Sequence, residues 1–140
     1  MIGKIFLVDD EDLFHLVFED ACSLLDISLS LETCYSADNA EDRFVDWATK
    51  PDCIFVDLNI IGSTFDGIEL VRRINFEHGN GVVIGIISSS QDQIEINKAR
   101  DAGAMFWIVK TDDIEPRLER FAKDFSKYQD RTQIFTIYND

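Results

Sequence analysis

No stretch of this chain stays apolar for the roughly 20 residues needed to cross a bilayer. Its opening residues, Met1-Ile2-Gly3-Lys4, run straight into a strand-like segment with no signal peptide ahead of them. A cytoplasmic protein is therefore expected, and the cysteines agree. Cys22, Cys34 and Cys53 are odd in number and lack C-x-x-C spacing, so they read as small buried apolar residues kept reduced. Basic residues are scarce, 13 against 27 acids, for a formal net charge of -14. Such a surface repels a phosphate backbone, and no local basic patch offsets it, so direct nucleic-acid binding is not expected. Histidine is scarcer still: His15 and His78 read as surface residues of a helix or its end, neither metal ligands nor phosphate carriers. No low-complexity linker divides the chain, and 140 residues at 46% hydrophobic suit one domain with a substantial core.

What the chain does have is a set of short apolar runs that stop on polar residues. Cys53-Ile54-Phe55-Val56 ends on Asp57, and Ile5-Phe6-Leu7-Val8 ends on Asp9-Asp10. Val82 to Ile87 ends on Ser88-Ser89-Ser90, and Phe106-Trp107-Ile108-Val109 ends on Lys110. Runs of this kind read as strands buried on both faces. Leu29 to Tyr35 alternates apolar and polar residues and reads as an edge strand.

Helices separate these strands. Phe14, Val17, Phe18, Ala21, Leu24 and Leu25 share one helical face, with Glu11 and Asp12 at its N-terminal end. Asp38-Asn39-Ala40-Glu41 has the form of a capping box and opens a helix to about Ala48, with Trp47 packed at its end. Asp66-Gly67-Ile68-Glu69 repeats the signal for a helix bearing Ile68, Val71 and Ile74 inward, followed by a turn at Gly79-Asn80-Gly81. Ser90-Gln91-Asp92-Gln93 caps a helix to about Ala102, with Gly103 as its stop. The last helix begins near Asp112-Asp113-Ile114-Glu115, admits Pro116 in its first turn, and buries Ile114, Leu118, Phe121, Ala122, Phe125 and Tyr128. Five strands alternating with five helices imply an α/β fold, a doubly wound parallel sheet covered on both faces. The polar strand ends then share one edge, where open α/β sheets bind ligands. The tail, 129–140, stays open between a short strand, an interaction segment and a frayed end.

Asp9, Asp10 and Asp57 brought together would repel one another, and a hard divalent cation is the natural remedy. Lys110 at the same edge can pair with an anion or with Asp57, and Ser88 adds a hydroxyl. An aspartate nucleophile, a divalent ion, a lysine and a hydroxyl are the parts needed to accept a phosphoryl group.

In this order on these elements, Asp9-Asp10, Asp57, Ser88 and Lys110 resemble the signature of response-regulator receiver domains, the family of the bacterial chemotaxis response regulator. Asp66-Gly67 and Gly103-Ala104 add to the match, which runs from about Lys4 to Tyr128. The resemblance implies a flavodoxin-like strand order 2-1-3-4-5 in a receiver domain at 1–128, followed by a tail without an effector domain. It implies that Asp57 takes phosphate from a histidine kinase or phosphotransfer protein, and that Mg²⁺ is held by Asp10 and Asp57, the Asn59 carbonyl and nearby Asp9. Ser88 and Lys110 would contact the phosphoryl group, Ser88 and Trp107 would form the switch, and an unknown downstream protein would receive the signal. Three features depart from the family pattern. The loop from Ile60 to Phe65 is about two residues long in excess, with Ile61 where proline is frequent, and is expected to form an exposed or mobile lid. Thr111 replaces the usual proline after Lys110, leaving cis and trans open, and Ser88 replaces the commoner threonine.

Other readings compete with this one. A flavin module would need a phosphate cradle where Asp9 to Asp12 stand. A haloacid-dehalogenase-like phosphatase would need an acid at Asn59. A degenerate receiver would bind partners without phosphorylation. A receiver is no turnover enzyme, its chemistry being confined to its own phosphorylation and dephosphorylation.

Overall fold

The computed structural model describes residues 2–45, 50–78 and 81–140. The elements alternate as expected: β1 (Ile2–Val8), α1 (Asp12–Leu25), β2 (Ser28–Cys34), α2 (Ala37–Val45), β3 (Cys53–Asp57), α3 (Gly67–His78), β4 (Val83–Ser88), α4 (Gln93–Ala102), β5 (Phe106–Val109) and α5 (Glu115–Gln129). A further strand, β6 (Thr136–Tyr138), follows, and all neighbours pair in parallel in the order β2-β1-β3-β4-β5-β6. The expected doubly wound sheet is present with one strand more than its five. The end of α2 with Trp47, and Gly79-Asn80 of the turn, lie outside the described residues.

Period-two alternation in the central strands divides the core into two layers. Phe6, Val8, Ile54, Val56, Ile84, Ile86 and Trp107 face α2, α3 and α4. Leu7, Phe55, Ile87, Phe106 and Ile108 face α1 and α5. The three cysteines are buried and unbridged, and burial pushes the thiols of Cys22 and Cys34 up to about 12, so they behave as apolar fillers.

Local signals set the helix ends with one correction. Asp66 and Asp92 cap α3 and α4 by accepting the N–H groups of Glu69 and Glu95. In α2 the cap is Ser36, whose hydroxyl accepts the Asn39 N–H at 3.0 Å, so the helix starts earlier than the Asp38 signal suggested. Asp38 instead accepts from both the N–H and the hydroxyl of Thr64. In α1, Leu24 is 73% exposed, because Cys22 completes the buried stripe with Phe14, Phe18 and Ala21.

The tail closes the far edge of the sheet. Ile137 pairs with Trp107 and Tyr138 with Ile108. Tyr138 inserts into an aromatic cluster centred on Phe121, which touches Phe55, Phe106, Phe125, Tyr128 and Tyr138 mostly edge to face. Its hydroxyl meets that of Tyr128 at 2.8 Å and donates to Asp124 at 2.7 Å. Tyr138→Ala should therefore destabilise the protein by about 3 kcal/mol and Tyr138→Phe by only about 1 kcal/mol, read from urea denaturation. An unchanged midpoint for Tyr138→Ala would show β6 to be ornamental.

Candidate functional site

β1 and β3 are adjacent at the centre of the sheet, with Val8 opposite Val56. The chain leaves both strands on acids at the same edge. Asp9 is fully buried, Asp57 is 7% exposed, and Asp10 is half-buried. One oxygen from each lies within 4.8 Å of the others. Backbone donors hold two of the three: the Glu11 N–H reaches Asp9 Oδ1 at 2.8 Å and the Ile61 N–H reaches Asp10 Oδ2 at 3.3 Å. Behind Asp57, α3 starts so close that any Cβ at Gly67 would collide with the Asp57 carbonyl oxygen.

Lys110 follows β5, and its N–H donates to the Ser88 carbonyl at 2.8 Å, which ties the two polar strand ends together. Its ammonium lies 2.8 Å from Asp9, 2.6 Å from Glu11 and 3.8 Å from Asp57, and 4.4 Å from the centre of the Phe14 ring. Asp57 is thus the most distant of its three acidic partners. Glu11, expected only as a helix-start acid, is the N-cap residue of α1 yet spends its carboxylate on Lys110. The peptide after Lys110 is trans, as are all the described peptide bonds.

On the opposite sheet face, Ser88 is buried and its hydroxyl oxygen accepts the Ser90 N–H at 3.1 Å. Trp107 is fully buried beside it, with Nε1–H donating to the Ser90 carbonyl at 3.0 Å. The indole points into the core. Asn59 is exposed two positions beyond Asp57.

The long loop is exposed at Ile61, at 81%, but it is not a free lid. Ser63 Oγ accepts the Ala37 N–H, Thr64 bonds to Asp38, and Phe65 lies under the Arg73 guanidinium. The loop is anchored to the start of α2 and to α3, and touches the acids through the Ile61 N–H.

His15 was expected at the surface and is instead 5% exposed. Its Nε2 meets the Asp9 carbonyl at 2.6 Å, and its ring stacks on Tyr35 at 4.4 Å. A carbonyl can only accept, so Nε2 carries the proton. The signal was available, because His15 shares a helical face with Phe18 and Cys22, at offsets of three and seven.

Burial, then the Asp9 charge, drives the Asp57 pKa up to about 7, against the partial relief that Lys110 provides. Burial also raises Asp9 above the ordinary carboxylate range, offset by its bonds to Lys110 and the Glu11 N–H. Burial works against the charge on Lys110, but its bonds to Asp9 and Glu11 and the field of Asp57 outweigh it and hold the ammonium above the usual lysine value. The acids therefore outnumber their compensation.

With its folded pKa near 7 and an ordinary value of 3.8, Asp57 keeps in the folded state a proton that the unfolded chain has released. Stability is lost as pH rises through that window, and the whole cost is present above it. In chelator-treated protein, Asp57→Asn should match the wild type near pH 4 and exceed it by about 1–4 kcal/mol above pH 7. A difference that stays flat or reverses with pH, in denaturation across that range, would contradict this picture.

The comparisons with known proteins agree with this geometry. Residues 5–120 match the family profile of the response regulator receiver domain. The phosphorylated cyanobacterial phytochrome response regulator RcpA aligns with a TM-score of 0.74 at 21% identity over 94% of this chain and 96% of its own. A response regulator from Thermotoga maritima aligns at 0.74 and 24% identity, over 90% and 99%. The receiver domain of NtrX from Brucella abortus aligns at 0.65 and 30% identity, over 84% and 96%. Curated protein sequences give no significant match. Sheet order, acid cluster and family profile lead to one conclusion: the chain belongs to the response regulator receiver domain family.

Proposed function

We propose that Asp57 accepts a phosphoryl group from the phosphohistidine of a histidine kinase or phosphotransfer protein, in a Mg²⁺-dependent reaction in the cytoplasm. The observation that carries this is the meeting of Asp9, Asp10 and Asp57 oxygens within 4.8 Å at the sheet edge, with one ammonium beside them. Oxygen donors alone, in excess of the available positive charge, fit a hard divalent ion. Asp10, Asp57, the Asn59 carbonyl and nearby Asp9 would hold it, and when bound it supplies charge neutralisation for the phosphoryl oxygens.

The chain's own residues supply the rest. A carboxylate oxygen of Asp57 bonds to phosphorus as the bond to the donor imidazole breaks, and the departing nitrogen keeps the electron pair. Asp57 must be ionised to attack, and positive charge at the cluster favours that form. The Ser88 hydroxyl donates to one phosphoryl oxygen and Lys110 to another. To do so Lys110 moves toward Asp57 from nearer partners, Asp9 and Glu11. Ser88 moves inward and loosens its bond with the Ser90 N–H, which disturbs the same residue's bond to Trp107. Output to a downstream protein then begins as a change around Ser90 and the indole, with no inward swing of the ring required.

A second reading is a receiver that binds partners without phosphorylation. Lys110 nearer to Glu11 than to Asp57, and a Trp107 indole wholly buried, favour it.

Incubation with a small acyl phosphate and Mg²⁺ separates the two. The wild type should gain one phosphoryl group by intact mass and Asp57→Asn none, since an amide lacks the carboxylate's charge and nucleophilicity. No gain by the wild type would establish the second reading, and a labelled Asp57→Asn would move the acceptor elsewhere. Asp10→Ala should weaken Mg²⁺ binding far more than Glu11→Ala, in titrations followed by fluorescence. Equal losses would reduce the cluster to a diffuse negative field. In a Trp47→Phe background, Trp107 emission should shift when Mg²⁺ and a phosphoryl mimic are added together, and stay constant in Asp57→Asn.

A further inference from the structure

Asp9 closes β1 with a backbone problem. Its N–H is satisfied by the Cys34 carbonyl at 3.0 Å, the last residue of β2. Its own carbonyl points past the end of the sheet ladder, in a residue that is fully buried. A buried carbonyl needs a donor, and the donor here is a side chain, His15 Nε2 at 2.6 Å. The imidazole has little freedom. It is 5% exposed, rides on a helix whose neighbouring positions Phe14 and Phe18 are packed into the core, and is backed by Tyr35 with ring planes 12° apart. Tyr35 is itself half-exposed, and the nearby Asp12 carboxylate, in the first turn of the same helix, raises the pKa of its hydroxyl.

The carbonyl it holds belongs to the peptide that joins Asp9 to Asp10. That peptide plane decides the direction in which Asp10 leaves the strand, and so where its carboxylate meets those of Asp9 and Asp57. Only one other bond is seen on the Asp10 side chain among the described residues, the 3.3 Å contact with the Ile61 N–H from an exposed loop. The firm constraint comes from behind, through the backbone.

We propose that His15 is a positioning residue for the cation-binding acids: its ring N–H, clamped against Tyr35, fixes the Asp9–Asp10 peptide and thereby the direction of Asp10. This rests on the reading of Asp9, Asp10 and Asp57 as a Mg²⁺ site. His15 touches neither the ion nor the phosphoryl group. It acts as an outer-shell partner does on a metal ligand, through the group it orients.

The test compares two side chains of matching length. His15→Gln retains an amide N–H close to where Nε2 stands, whereas His15→Met fills the volume and donates nothing. Mg²⁺ affinity is read from intrinsic fluorescence, alongside thermal unfolding in chelator, with Asp10→Ala as the control that removes a ligand. His15→Met should bind Mg²⁺ about 10-fold more weakly, and His15→Gln should recover most of that loss. Phosphorylation by a small acyl phosphate should show the same shift in the Mg²⁺ concentration required, with the rate at saturating Mg²⁺ unchanged. A role confined to folding would lower the unfolding temperature and leave the Mg²⁺ midpoint in place, which overturns the proposal. If His15→Met does not fold, the wild type decides: the His15 ring N–H resonance should move on Mg²⁺ addition, and a stationary signal overturns the proposal. Failure of the wild type itself to bind Mg²⁺ would instead remove the site reading, and the role of His15 with it.

Discussion

One ammonium compensates a group of carboxylates that the sheet forces together, and the character of the site follows from that shortage. Parallel pairing of β1 with β3 puts Asp9 and Asp57 side by side at the end of two buried strands, where water cannot screen them. Among the described residues Lys110 is the one cation that reaches both, and it divides itself among Asp9, Glu11 and Asp57. Burial and mutual repulsion then keep Asp57 reluctant to ionise. Under the proposed function, a cation at this edge would relieve that repulsion, and phosphorylation would replace the Asp57 carboxylate by an acyl phosphate whose charge lies further out. The site is stable enough to exist and poorly enough compensated to respond.

The rest of the fold serves to hold that arrangement. The aromatic cluster around Phe121 locks α5 against β3 and β5, the strands that carry Asp57 and Lys110. β6 extends the sheet beyond β5, and Arg117 joins the two by donating to the carbonyls of both Val109 and Asn139. Asn139 also donates to Gln91, in the segment that follows Ser88. The tail therefore bonds to the loop after β4 and, through Arg117, is tied to the last residue of β5. On the other side, the long loop after β3 is bonded to α2 and α3 and lends one N–H to Asp10.

Much of this was legible in the sequence, for a definite reason. Apolar strands that stop on Asp9, Asp57, Ser88 and Lys110 carry their own register, because a parallel sheet aligns strand ends whatever the loops do. The caps at Asp66 and Asp92 are equally local. What escaped was whatever depends on a partner distant in sequence. Ser36 rather than Asp38 caps α2 because Asp38 is claimed by Thr64, 26 residues on. Glu11 could be read as a helix-end acid, since nothing local reveals that Lys110 needs it. β6 is three residues long, and its strand character comes from the β5 edge and the Tyr128 and Asp124 contacts of Tyr138. His15 was missed differently. Helical periodicity places it on the buried face, but a general expectation that histidines are exposed prevailed over the pattern.

The claim on which this account turns is that Asp57 is a destabilised carboxylate awaiting positive charge. Carbon-13 NMR of its side-chain carboxyl, titrated from pH 4 to 9 with and without Mg²⁺, measures this directly. The account predicts a midpoint at about 7 in the absence of the ion, lowered by at least about one unit when it is added. A midpoint in the ordinary carboxylate range near 4, unmoved by Mg²⁺, would contradict it.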